Sequence, residues 1–186
     1  MLTLSERKEA ISTINGIASF LPLCGFKAQR RKRSSQMRID EFIMEKTIQE
    51  TEDEIVDEFS FFESWQDKYE YIIELGKKLK GYPEDKQTND NKVKGCQSSV
   101  WLVTDDEDGR IIFKADSDST IVKGLIALLI RVLNGRTPDE ILNAKLEFIA
   151  KTGLQQHLAQ TRANGLAAMI KQMKMYALAY KAKQLS

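Results

Sequence analysis

The amino-acid sequence predicts an α+β domain in which helices pack on one small antiparallel sheet. Two observations carry this. Strand-like segments cluster in a single hairpin near the middle of the chain, which argues against alternating βαβ units. The segments on either side repeat their apolar residues at helical spacing. With 186 residues, 42% hydrophobic and 30% charged, the chain suits one soluble domain with some length left over.

The first 43 residues look unlike the rest. Residues 27–38 hold six Lys/Arg and no acid, and residues 50–58 hold six acids and no base. Abrupt charge blocks of this kind are expected of tails rather than packed structure. A secretory signal is disfavoured because the basic cluster follows the modestly apolar stretch 11–24. Frequent Arg and Ser allow an organellar transit peptide, although Glu6 and Glu9 count against it. The third reading is an upstream in-frame extension with Met44 as the true start. The expected division is therefore an extension over residues 1–50, disordered or upstream of the start, and the folded domain over 51–186.

From Phe59 onward the pattern is orderly. Trp65, Tyr69, Ile72, Ile73 and Leu75 recur at helical spacing, giving an amphipathic helix over about 64–79 that Gly81 and Pro83 end. A polar loop, 84–94, leads to Gly95-Cys96. Residues 99–104 and 110–115 are rich in β-branched and aromatic residues, and the acidic stretch 105–109 between them, ending in Gly109, reads as the turn of a β-hairpin. A further strand before the hairpin is left open. Ser119 or Thr120 is placed to cap an apolar helix over 121–133, which Gly135 terminates. In Thr137-Pro138-Asp139-Glu140 the threonine caps, the proline takes the first helical position and Glu140 closes a capping box. Further helical turns run to about His157. A last helix over about 162–183 carries Leu166, Met169, Ile170, Met173, Ala177 and Tyr180 on one stripe, and Met169, Met173 and Met175 read as core filler rather than metal ligands.

Composition excludes several functions. A formal net charge of +1 advertises neither nucleic acid nor an anionic membrane as a partner. The basic run 30–33 reads as a solvated tail before a nucleic-acid contact. The longest apolar run, 121–133, falls short of the roughly 20 residues that span a bilayer. Cys24 and Cys96 are too few for a disulfide framework and lack zinc spacing, so a reducing cytoplasm is the expected location, with organellar import if residues 1–43 are a transit peptide. His157 is the single histidine, and it reads as a surface or packing residue.

Cys96 is the candidate for chemistry. It follows a polar loop and precedes a strand, so it can stand at a loop tip with the hairpin fixing its base. Gly95 lets the backbone turn tightly or another chain approach. Lys94 is near enough in sequence to favour thiolate. Asp116 and Asp118 read as turn and cap residues before they read as paired carboxylates. Two readings of Cys96 stay open on these residues alone. It is a small buried hydrophobe, as free cysteines commonly are, or it is a reactive thiol. A cysteine hydrolase needs a neighbouring imidazole, which only His157 can supply. Thiol exchange at sulfur needs no general base, and one cysteine suffices if a partner brings the other sulfur.

Four stretches decide between these readings by resemblance: Trp65-Gln-Asp-Lys-Tyr-Glu-Tyr-Ile-Ile-Glu-Leu-Gly76, Val93-Lys-Gly-Cys-Gln-Ser-Ser-Val-Trp101, Ala115-Asp-Ser-Asp-Ser-Thr-Ile-Val-Lys-Gly-Leu125 and Leu158-Ala-Gln-Thr-Arg-Ala-Asn-Gly-Leu-Ala-Ala-Met169. In this order they resemble the SufE family of cysteine desulfuration proteins, from about Phe61 to the C-terminus. The resemblance implies an α+β fold related to that of iron–sulfur scaffold proteins. It implies sulfur acceptance from a SufS-type cysteine desulfurase, stimulation of that enzyme, and delivery to the SufBCD assembly machinery. The persulfide-carrying cysteine falls on Cys96, sheltered in an apolar cavity until the partner docks. Partner-binding or loop-positioning roles fall on Gly95, Gln97, Asp118 and Arg162. No cofactor is expected on this chain, pyridoxal phosphate belonging to the desulfurase, and homodimer formation is left open. The competing expectation is an allosteric activator of a desulfurase that carries no sulfur itself. Ala159-Gln160-Thr161 departs from the Ser/Thr-Pro common in relatives before the arginine, which bears on local rigidity at that point.

Overall fold

The computed structural model describes residues 46–79 and 81–184, so the readings of residues 1–43, Met44 and Cys24 lie outside the described residues. The described elements run α1 (Ile48–Ser60), α2 (Trp65–Lys78), a 3-10 turn at Glu84–Lys86, β1 (Val100–Glu107), β2 (Arg110–Ser117), α3 (Thr120–Leu133), α4 (Pro138–Asn143), α5 (Phe148–Lys151), α6 (Leu154–His157) and α7 (Gln160–Gln184). This is the α+β arrangement the sequence predicts.

The acidic block 50–58, expected as tail, is instead the body of α1. Thr51, Glu52, Ile55, Glu58 and Phe59 are buried, one face of a helix in which two acids stand at core positions. Both acids have partners far along the chain. Glu52 Oε2 accepts the amide of Phe148 at 3.0 Å and so caps the first turn of α5. Glu58 accepts from Tyr71 Oη at 2.6 Å and receives both guanidinium nitrogens of Arg131 at 2.6 and 2.8 Å. Burial and the adjoining carboxylate push the Tyr71 phenol above its ordinary range.

α2 begins at an N-cap, Ser64, whose hydroxyl accepts from Asp67 N, and its last turn carries Lys77 and Lys78. It crosses α3 at two glycines. A Cβ on Gly76 would stand 2.7 Å from Gly124 N, and one on Gly124 would stand 2.1 Å from Ile72 O. The crossing therefore brings backbone against backbone. α3 is the most enclosed helix, with Ile121, Leu125, Ile126, Leu128, Leu129, Val132 and Leu133 buried. Full burial of such side chains contributes about 1.5–3 kcal/mol each.

The hairpin is longer than expected. Its turn is only Asp108-Gly109, both with positive φ (54° and 79°), and residues 105–107 continue β1. A two-residue turn of this hand matches the twist of its strands, so the acids ahead of it remain in register, with Asp105 bridging Lys114 at 2.8 Å. Val100, Leu102, Ile111, Phe113 and Ala115 face the core. Both outer edges of the ladder are covered. Val93 N donates to Val100 O and Leu102 N to Asn91 O, so the strand left open ahead of the hairpin is a short bridge. On the far edge Ile111 N donates to Arg136 O, and Phe113 N to Asn134 Oδ1.

Ser119 is the N-cap residue of α3, but its side chain makes no capping bond; its amide instead donates to Ser117 Oγ at 3.2 Å. Gly135 (φ 70°) follows the end of α3 as predicted, and the Thr137/Glu140 capping box of α4 is present with Pro138 in the first turn. In α7 the buried stripe is Gly165, Leu166, Met169, Met173 and Ala177. Met175 does not belong to it. Two positions from Met173 it lies on the opposite side of the helix, 53% exposed. Tyr176 Oη donates to Leu102 O, docking α7 across β1.

Candidate functional site

Cys96 sits between two well-tied legs. The incoming leg closes through the bond from Val93 N to Val100 O, at 2.8 Å. The outgoing leg is clipped at Ser99, whose amide donates to Asp118 Oδ1 at 3.1 Å while its carbonyl accepts Asp118 N at 3.2 Å and Ser117 Oγ at 2.9 Å. Between the legs Gly95 takes φ 93°, a conformation that turns the chain onto α7 and that an L side chain resists. A Cβ on Gly95 would meet only Ala168 Cβ, at 3.5 Å, so it is the backbone angle that calls for glycine here.

The thiol is half-buried and points at α7, its Sγ 3.5 Å from Gly165 O. It borders a cavity of about 200 Å³ whose wall includes Gln97, Ser119, Val122, Arg162, Gly165 and Met169. The first turns of α3 and α7 thus both reach the cavity. Arg162 lies in that first turn of α7 and is exposed; among the described residues its guanidinium has no hydrogen-bond or ion-pair partner. Burial pushes the Cys96 thiol above its ordinary range, so the isolated protein holds it mainly as neutral S–H. Lys94 is exposed and does not reverse this.

The sequence-predicted residues divide accordingly. Cys96, Gln97 and Arg162 meet at the cavity, Gly95 bends the loop, and Asp118 stands off the cavity and holds the loop leg. Asp116 does not pair with Asp118; it lies 2.5 Å from Lys123 Nζ and accepts from Gln87 Nε2 at 2.9 Å. His157 stacks on Trp65 with ring centroids 3.8 Å apart, and no imidazole hydrogen-bonds the thiol among the described residues. Without that base a Cys–His hydrolase has no support. Among the described residues no group of His, Cys, Asp and Glu is arranged to hold a metal ion. In the departing stretch Ala159-Gln160-Thr161, Ala159 opens α7 through its carbonyl, which accepts Arg162 N and Ala163 N. Sequence reasoning missed Ser119, Val122 and Gly165. An isolated glycine inside a helical pattern, three residues after the arginine, was the signal available for the last of these.

Fold and site together define an α+β protein that presents the sheltered thiol of Cys96 on a tethered loop. Comparison with known proteins gives the family. The SufE model, described as an Fe-S metabolism associated domain, matches residues 53–177. An uncharacterized SufE-like protein of Rhizobium meliloti is 45% identical over 127 residues, covering 66% of this chain and 91% of the relative. A SufE-like protein of Synechocystis is 42% identical over 130 residues, covering 70% and 82%. The solution structure of a hypothetical protein from Thermus thermophilus shares the fold, with a TM-score of 0.60 at 19% identity over 71% of this chain and 96% of that one. The chain belongs to the SufE family, which is associated with iron–sulfur metabolism. No helix among the described residues is long and apolar enough to cross a membrane.

Proposed function

We propose that this protein is a sulfur acceptor for a SufS-type cysteine desulfurase, carrying sulfur as a persulfide on Cys96 toward a SufBCD-type assembly complex. The observation that supports it most directly is the placement of Cys96 Sγ, half-buried at the edge of a cavity on a loop tied at both legs. Such a thiol can be offered to a docked protein and sheltered afterwards from oxidants and stray thiols.

The step is an exchange at sulfur. Cys96, as thiolate, attacks the outer sulfur of the partner's persulfide. A new bond forms from Cys96 Sγ to that sulfur, the partner's sulfur–sulfur bond breaks, and the partner cysteine leaves as thiolate and takes up the proton Cys96 gave up. No net oxidation occurs. Pyridoxal phosphate chemistry stays on the desulfurase, and the work of this chain is to orient and shield. Because burial keeps the free thiol neutral, docking has to favour the thiolate, and the role proposed for Arg162, which lines the same cavity, is to do so. Gln97, on the cavity wall, and nearby Gly95 are both exposed, and an incoming partner would meet them first.

Incubation with desulfurase and cysteine is expected to add the mass of one sulfur to the Cys96 peptide. A Cys96→Ser variant separates this reading from an allosteric activator, which would keep its stimulation of the desulfurase without the thiol.

A further inference from the structure

We propose that Gly165 is a positioning residue for the persulfide: its missing side chain keeps open the space beside Cys96 Sγ into which the second sulfur fits. This rests on the sulfur-acceptor reading above.

Gly165 lies inside α7, where glycine is the least favourable residue after proline. Nothing in the fold asks for it. Its φ is not positive, and a Cβ built there would approach no atom beyond its own helix except Cys96 Sγ, at 3.6 Å. That distance is an ordinary contact, so alanine would suit both the helix and the free thiol. Gly76 and Gly124 differ, since a Cβ on either would strike backbone at 2.7 or 2.1 Å. The space left by Gly165 opens into the cavity that Cys96 borders. A second sulfur adds a bond of about 2.05 Å beyond Sγ. A methyl already in contact with Sγ takes part of the volume that this atom needs, and overpacking of this size shifts an equilibrium roughly tenfold.

The test compares wild type with Gly165→Ala in the full chain. Sulfur is supplied by desulfurase with cysteine and, separately, by inorganic polysulfide, which requires no docking; in the latter a shorter polysulfide is the leaving group. Thermal midpoint, sulfur occupancy of the Cys96 peptide by mass, and the rate at which dithiothreitol strips that sulfur are measured. The expected result is an unchanged or raised midpoint, with occupancy lower or stripping faster by roughly tenfold for both donors. A variant that loads and keeps sulfur like wild type overturns the proposal, as does one with a lowered midpoint, or one defective only with desulfurase. If wild type itself takes no sulfur at Cys96 from either donor, the sulfur-acceptor reading fails and this inference falls with it.

Discussion

The α2–α3 crossing and the Cys96 loop both bring backbone close to a neighbouring helix, yet they are built for opposite purposes. At the crossing the glycines remove every obstacle between two helices, and a Cβ on Gly124 would lie 2.1 Å from Ile72 O. At the loop Gly165 faces a half-buried thiol with ordinary contact distance and open space alongside. The first arrangement serves the fold and tolerates no added atom. The second keeps room that the fold itself does not use. The difference locates stability in the α1–α2–α3 region and the proposed sulfur chemistry at the meeting of the loop with the N-terminal turns of α3 and α7.

Perturbing each region separates the two. The largest loss of stability is expected from Gly124→Ala, where backbone blocks the new methyl: about 3 kcal/mol or more by equilibrium denaturation. A loss under about 1 kcal/mol would show that the crossing yields easily and would erase the contrast. Glu58→Ala follows. It leaves the Arg131 guanidinium, one quarter exposed, without its bidentate partner, for an expected loss of about 2–4 kcal/mol in the same measurement. Neither change touches the thiol, and any refolded fraction should keep its Cys96 reactivity.

On the other side, Asp118→Ala removes one hydrogen bond to the Ser99 amide and should cost no more than about 1 kcal/mol. It should nevertheless raise iodoacetamide alkylation of Cys96 several-fold, because it loosens the outgoing leg, which then keeps only the bonds to the Ser99 carbonyl. An unchanged alkylation rate would mean that Asp118 does not hold the thiol in place. The smallest effect is a shape. Burial disfavours the charged form and raises the Cys96 pKa, so less thiolate is present at neutral pH than for an exposed cysteine. Alkylation of wild type should therefore keep rising with pH beyond the ordinary thiol range of about 8.5, and the Asp118→Ala profile should move back toward it. A wild-type profile that levels off at or below that range would contradict the burial seen here.

Where local chemistry dictates structure, the sequence was legible: the Thr137–Glu140 capping box, the helix over about 64–79, the stop at Gly135 and the hairpin itself. One misreading has a nonlocal cause and another a local one. The α1 acids look like tail because Arg131, Tyr71 and the Phe148 amide, which make their burial tolerable, come much later in the chain. The turn looked five residues long because acids resemble turn residues, whereas two residues of positive φ suffice. Of the site, Cys96, Gln97 and Arg162 were read from motif resemblance. Ser119, Val122 and Gly165 were not, since helical periodicity says which residues share a face but not which face borders a cavity.

In the proposed function Cys96 Sγ is the atom that receives sulfur. Wild type and Cys96→Ser, incubated side by side with a SufS-type desulfurase and cysteine and then mapped by peptide mass, test it most directly. One added sulfur on the Cys96 peptide of wild type, with loading and desulfurase stimulation both lost in the variant, is the predicted result. Equal stimulation by the two proteins with no sulfur on Cys96 would contradict it.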